Sequence, residues 1–299
     1  MHNTPLVTVI CLCYNHAAFV VEALESVLNQ SHSHVELIIA DDCSTDNSVE
    51  VIQSWLKNYT DIQFIANAQN LGNTKTFNQC LKIAKGDYII DLAADDVLKP
   101  NCIAQQLQGF AESKYENLGI VFGNAEWITE KGDFIGPYFP TDKNGKGLER
   151  QPTGDIYCKI LNGKSKLCSV AALTKRVVFD QLNGYDENLA YEDLDLWIRA
   201  SRTFNFDYID EIVISKRVLD NSMYTLLVQK NNPKTRRFNY STYLILQKAY
   251  QMNRTVEEHK ALLSRFWLEM YVAFKTRDFL LLLKYALFDL KVRFKILLT

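Results

Sequence analysis

From residue 6 to residue 92 the chain alternates short apolar, β-branched runs with stretches of helical periodicity, and few folds accommodate that order. Residues 6–13, 35–40, 62–66 and 88–92 read as strands, and residues 18–29, 49–59 and 74–84 as helices, with Gly86 as a C-terminal helix stop. Strands separated by helices of this length predict a mostly parallel central sheet with helices on both faces, a Rossmann-like α/β architecture. In such sheets ligands sit outside the carboxyl ends of the strands. Two acidic pairs fall at those ends: Asp41-Asp42 after the second strand and Asp95-Asp96 after the fourth.

The pattern then changes. Residues 118–128 read as a strand, Lys131-Gly132-Asp133 as a hairpin turn, and residues 137–154 as a long loop rich in Gly, Pro, Asp and Lys. A loop of that length inside a compact domain is usually functional or disordered. Compact signals resume at residue 169, with a helix from Glu192 onward, and beyond about residue 226 the chain turns helical and basic. The expected division is a domain over residues 1–225 and a helical extension over 226–299.

Composition narrows the function classes. With 299 residues, 47% of them hydrophobic, and a net charge of −2, the chain shows no excess of cations to suggest nucleic acid as a partner. Its seven cysteines have no zinc-ligand spacing and read as reduced core thiols in a cytosolic protein. The stretch MHNTPLVTVI lacks the basic and apolar regions of a signal peptide. The longest apolar run near the C-terminus is broken by Lys284 and Asp289, too short to span a bilayer.

Each acidic pair admits two readings on its own residues. Asp95-Asp96 suits a hard divalent ion shared with phosphate oxygens, since magnesium and manganese take few protein ligands plus substrate; equally, Asp96 suits the N-cap of a helix entered through Pro100. Asp41-Asp42 comes straight off its strand, ahead of the cap positions at Asp46 and Asn47. A carboxylate there can accept the N–H of a nucleobase edge. Two acidic strand ends in one half-sheet fit a nucleotide diphosphate lying across that edge, with base at one end and metal at the other.

In order along residues 5–220, the segments VTVICLCYN, SVLNQ, ELIIADDCSTDNS, NLGNTKTFNQCLKIAKGDYI, DLAADD and NGYDENLAYEDLDLWIR resemble family 2 glycosyltransferases of the GT-A fold. The resemblance implies a nucleotide-sugar donor, most often UDP-linked, a divalent metal (Mn2+ or Mg2+), and inversion at the anomeric carbon. By position, Asp42 resembles the uracil-contacting aspartate with Asp41 beside it, and Leu12, Tyr14 and Asn15 match the first nucleotide-binding turn. Asp95 and Asp96 match the metal and diphosphate site, with Asp96 favoured as direct ligand. Glu192-Asp193 match an acidic pair whose aspartate is the catalytic base. Such a base is needed because an attacking hydroxyl is a poor nucleophile until a carboxylate takes its proton. Taken alone, Glu192-Asp193 reads as a helix start, where acids favour the macrodipole.

The chain departs from the family at Leu219, where many relatives place a metal- or diphosphate-binding histidine. Arg217 is then the residue expected to face phosphate. The QxxRW segment of processive synthases is absent, so addition of single residues to a saccharide or lipid-linked acceptor is expected. A phosphorelay receiver is disfavoured because its acidic pair follows the first strand. A nucleotidyltransferase or dehydrogenase is disfavoured because no glycine-rich phosphate loop is present. A donor-binding module without activity is the alternative.

Near the C-terminus Lys275, Arg277, Lys284, Lys291, Arg293 and Lys295 outnumber Asp278 and Asp289. On a helix Arg277, Lys284, Lys291 and Lys295 form one stripe beside a wide apolar face, and Asp289 and Arg293 are spaced to pair. That pattern suits attachment to an anionic membrane surface, and equally suits packing against the catalytic domain or a second subunit. The alternation at residues 290–296 also permits a short strand.

Overall fold

The computed structural model describes residues 4–219 and 228–298. In chain order it begins β1 (Val7–Cys13), α1 (Val20–Leu28), β2 (Val35–Asp41), α2 (Ser48–Leu56), β3 (Gln63–Ala66), α3 (Asn73–Ile83) and β4 (Tyr88–Ala93). There follow β5 (Val97–Leu98), α4 (Cys102–Glu112), β6 (Leu118–Ile128), β7 (Phe134–Pro137) and α5 (Tyr157–Leu161). The remainder is β8 (Ala172–Lys175), α6 (Arg176–Leu182), α7 (Asp193–Ala200), β9 (Asn205–Arg217), α8 (Pro233–Met252), α9 (Val256–Lys275) and α10 (Phe279–Leu297).

These elements form two compact units. The first comprises Met1–Gly154, Leu167–Tyr185 and Phe204–Val218; the second comprises Asp155–Lys166, Asp186–Thr203 and Leu219–Thr299. The expected boundary at residues 225/226 lies outside the described residues. Two segments expected in the catalytic domain, 155–166 and 186–203, fall instead with the C-terminal helices.

The first unit is built on one sheet in the order β3-β2-β1-β4-β8-β6-β9-β5, with β7 paired to β6. The first four strands are parallel. β1 lies between β2 and β4 and is buried along nearly its whole length, which is why VTVICLC reads as a continuous apolar run rather than an alternating one. Beyond β4 the sheet is mixed: β8 is antiparallel to both β4 and β6, β6 is parallel to β9, and β5 is antiparallel to β9. The expected hairpin turn forms between β6 and β7, with Gly132 at φ +91°.

Gly86 has a different job from the one expected. α3 ends at Ile83, the following Ala84 is extended, and Gly86 is not in the left-handed region. A Cβ at Gly86 would lie 2.5 Å from the backbone nitrogen of Thr8 and 2.6 Å from its Oγ1. Glycine is required here because the chain passes against β1, and its N–H donates to Thr8 Oγ1. Gly86→Ala is expected to cost about 1–3 kcal/mol through overpacking, read as a lowered urea midpoint at unchanged slope. A midpoint equal to wild type would show that the contact relaxes.

The second unit is helical among its described residues. Asn232 caps α8, with Pro233 at its first position, and Thr255 and Glu258 form a reciprocal capping box on α9. α10 begins after Asp278, which accepts the N–H of Leu281, so Arg277 (φ +60°) sits in the preceding turn and leaves the basic stripe expected of it. Residues 290–296 are helix, not strand, and Asp289 pairs with Arg293 as its spacing predicted. Leu281, Tyr285, Phe288 and Val292 form the buried stripe, with Tyr285 and Phe288 meeting Phe266 of α9. A second apolar stripe, Leu283, Leu287, Leu290, Phe294 and Leu297, is exposed. Among the described residues no helix is long and apolar enough to cross a membrane.

Candidate active site

The parallel register brings both acidic pairs to either side of one strand end. Cys13 at the end of β1 is opposite Asp41, and Leu12 is opposite Ala93 of β4. The ladder continues past the strands: Asp42 N–H donates to the Cys13 carbonyl and Ala94 N–H to the Leu12 carbonyl. Asp41-Asp42 and Asp95-Asp96 therefore stand roughly 10 Å apart, two strand spacings, with Tyr14, Asn15 and His16 leaving β1 between them.

On the β2 side the carboxylates organise the wall. Asp42 is buried and accepts four donors: Leu71 N–H, Gly72 N–H, Thr76 Oγ1–H and Asn67 Nδ2–H, at 2.8 to 3.0 Å. Asp42, expected at the nucleobase, thereby also ties residues 67–76 to the strand end. Asp41 is fully buried and accepts the N–H and hydroxyl of Ser44. Asn15, at φ +59°, accepts from the backbone of Thr45 and donates its own N–H to Ser44 Oγ. Tyr14 is the exposed aromatic of this end, 45% accessible.

On the β4 side the helix-cap reading fails, because α4 begins at Cys102 with Asn101 in the cap position. Asp96 is 2% exposed, and burial, followed by the neighbouring Asp95, pushes its carboxyl up to about 7. Its Oδ1 accepts the backbone N–H of Arg217. Arg217, the residue expected to face phosphate, is buried. It donates to the carbonyls of Asp95, Thr129 and Glu130 and to Glu22 Oε2, and it lies over the Phe19 ring. Arg217 thus clamps the Asp95-Asp96 turn between β9 and α1.

The residue that sequence reasoning missed is His16. Its Nδ1 is buried without a hydrogen-bond partner and lies 3.6 Å from Asp95 Oδ1. Lys216 was missed as well; its charge acts on Asp96, and its ammonium rests 5.6 Å from the centre of the Trp127 ring. A lone histidine after a strand carries no spacing signal, and only the register beside β4 reveals it. Two adjacent carboxylates, one buried and hard to ionise, with an orphaned imidazole nitrogen beside them, fit a divalent cation that completes its shell with phosphate oxygens. Among the described residues no cluster of three or more His, Cys, Asp or Glu forms a cage.

Glu192 and Asp193 lie in the second unit. Glu192 holds the position before α7, and Asp193 opens the helix, half-buried, with Oδ1 accepting the N–H of Leu194. The segment is anchored to α8: Ala190 N–H donates to Ser241 Oγ, Tyr191 and Thr242 share a hydrogen bond, and Lys248 donates to Asp195 Oδ1 at 2.7 Å. The loop after β7 is held to β9, Gly147 N–H donating to Asp210 and Lys146 pairing with Glu211. Asn124 is a scaffold residue whose amide bonds the backbone of Phe139 in both directions. All seven cysteines are free thiols.

Residues 8–182 match the model of glycosyl transferase family 2. An uncharacterized glycosyltransferase of Methanocaldococcus jannaschii is 24% identical over 231 residues, 76% of each chain. Chondroitin synthase of Escherichia coli is 26% identical over 236 residues, 78% of this chain but only 32% of that protein. Among solved structures, S. aureus TarS 1–349 in complex with UDP-GlcNAc superposes with a TM-score of 0.65 at 16% identity, covering 87% of this chain and 71% of that one. The mannosyltransferase PcManGT of Pyrobaculum calidifontis, in complex with GDP-Man and Mn2+, gives a TM-score of 0.60 at 16% identity over 99% of this chain and 84% of that one.

Proposed function

Since this chain belongs to glycosyl transferase family 2 and has the GT-A fold of its structural neighbours, we propose that it is an inverting, non-processive enzyme. It moves one sugar from a nucleotide-diphosphate donor, UDP-linked in this reading, to a hydroxyl of a saccharide or lipid-linked saccharide in cell-surface polysaccharide synthesis. The observation that carries the reading is Asp95-Asp96 beside the end of β1, with Asp96 buried and its carboxyl raised to about 7. The UDP-GlcNAc bound to TarS and the GDP-Man and Mn2+ bound to PcManGT support it by likeness of fold.

In this account Asp96 and Asp95 hold Mn2+ or Mg2+, which when bound offsets the charge that gathers on the departing diphosphate. His16 Nδ1, without a hydrogen-bond partner and 3.6 Å from Asp95 Oδ1, would donate to phosphate in the tautomer protonated at that nitrogen. Tyr14 offers the nucleoside an aromatic face, while Leu12, Asn15, Asp41 and Asp42 keep the surrounding backbone in place. Arg217 fixes the carboxylate turn. Asp193 takes the proton of the attacking hydroxyl, and Glu192 supports it. One base and one metal site suffice, with no covalent enzyme nucleophile. The exposed apolar stripe of α10, flanked by cations, supports peripheral contact with an anionic membrane on its cytoplasmic side.

A thermal-shift screen of UDP- and GDP-sugars with manganese tests the donor class. A ligand that binds only the native state stabilises it by about 2.7 kcal/mol at a hundred times its Kd, so at least one UDP-sugar is expected to raise Tm by several degrees, and less with EDTA. A panel without any shift would remove the nucleotide-sugar reading.

A further inference from the structure

Within the second unit, α8 and α10 border a groove of about 660 Å³, and the Asp186–Leu189 stretch closes its rim. Tyr243, Lys248 and Tyr250 come from α8, and Lys284, Leu287 and Lys291 from α10. Lys248 is committed, donating to Asp186 and Asp195. Lys284 and Lys291 meet no carboxylate among the described residues. The Lys284 ammonium lies 5.3 Å from the centre of the Tyr240 ring and 5.8 Å from that of Tyr243, and Lys291 lies 5.1 Å from Tyr250. Tyrosine faces hold the two ammonium groups without neutralising them, so while Lys248 is matched by Asp186 and Asp195, Lys284 and Lys291 face the groove as cations without a carboxylate among the described residues.

The groove lip is apolar. Leu287 is 59% exposed and belongs to the stripe that runs from Leu283 through Leu290 to Phe294, all of it open to solvent. Contiguous apolar surface of this kind marks a binding site. An anion-seeking pocket that opens onto a hydrocarbon-seeking stripe matches one chemical class: a phosphate or diphosphate ester of a long alkyl or isoprenoid chain. The rim residues Asp186–Leu189 lead within three residues to Glu192 and Asp193.

We infer that this groove anchors the acceptor by its lipid-phosphate end, with phosphate at Lys284 and Lys291 and the chain along Leu283, Leu287 and Leu290. The word acceptor rests on the transferase reading above; binding of the lipid phosphate does not. The test therefore uses binding to the full-length protein, without donor or turnover, read by calorimetry with farnesyl phosphate below its micelle concentration. Farnesyl phosphate is expected to bind at least about tenfold more tightly than farnesol or inorganic phosphate. The double variant Lys284→Gln/Lys291→Gln should lose about tenfold or more, the scale of charge-assisted bonds. Lys275→Gln/Lys295→Gln, outside the groove, should bind as wild type, and equal thermal melts show that each variant folds. Unchanged binding in the groove variant would overturn the site. Equal affinity for farnesol would overturn the phosphate contact. Equal affinity for dihexanoyl phosphatidylglycerol would give the groove to bulk membrane lipid and overturn the acceptor assignment.

Discussion

Asp96→Asn yields a folded protein that transfers no sugar. The replacement is nearly isosteric, and its amide oxygen can still accept the Arg217 N–H that Asp96 Oδ1 accepts. Removing the charge also relieves a buried carboxylate whose ionisation is opposed by burial and by Asp95. Stability should therefore hold or rise, while the site loses the anion that a cation and diphosphate need. Nucleotide release coupled to acceptor, together with a thermal melt, separates the two effects. A variant that melts early yet keeps wild-type turnover per folded molecule would make Asp96 a structural residue.

Asp193→Asn should keep donor affinity near wild type and lower turnover by about two to four orders of magnitude, the range of a general base. The Leu194 N–H that donates to Asp193 Oδ1 keeps an acceptor in the variant, so the start of α7 survives. That matters because a residue serving only the helix terminus would show the opposite signature, with lowered stability and normal kcat. Glu192→Gln should be milder. Near-wild-type turnover in Asp193→Asn would remove the base assignment, and a wild-type protein that binds UDP but turns over no acceptor would favour a module without activity.

The first half of the sheet was legible because its signals are local. β1 is an apolar run buried almost throughout, α3 a periodic stretch, and β6 was bounded at residues 118 and 128 by its pattern alone. The second half depends on long-range pairing. Nothing in residues 172–175 announces that β8 lies antiparallel between β4 and β6, and the two-residue β5 is defined only by its partner β9. Segments 155–166 and 186–203 join the C-terminal helices through contacts such as Tyr157 with Ala249 and Asn253, and Arg202 with Glu258, which no spacing foretells.

The site divides the same way. That Asp95-Asp96 lies at a strand end was readable from position. That Asp42 and Arg217 have their polar atoms committed to protein partners, and that His16 does not, follows only from three-dimensional satisfaction of donors and acceptors. The C-terminal helix kept both of its readings for a physical reason. It carries two apolar stripes, one buried through Tyr285 and Phe288 and one exposed through Leu287 and Leu290, and a helical wheel cannot say which of them packs.

The central claim is a donor diphosphate held through a divalent cation at Asp95-Asp96, and the most direct measurement is UDP affinity with manganese and with EDTA, on wild type and on Asp96→Asn. The account predicts that manganese tightens UDP binding to wild type by at least about tenfold, one charge-assisted contact or more, and leaves the variant unaffected. Equal affinity with and without the metal in wild type, or an undiminished manganese effect in the variant, would contradict it.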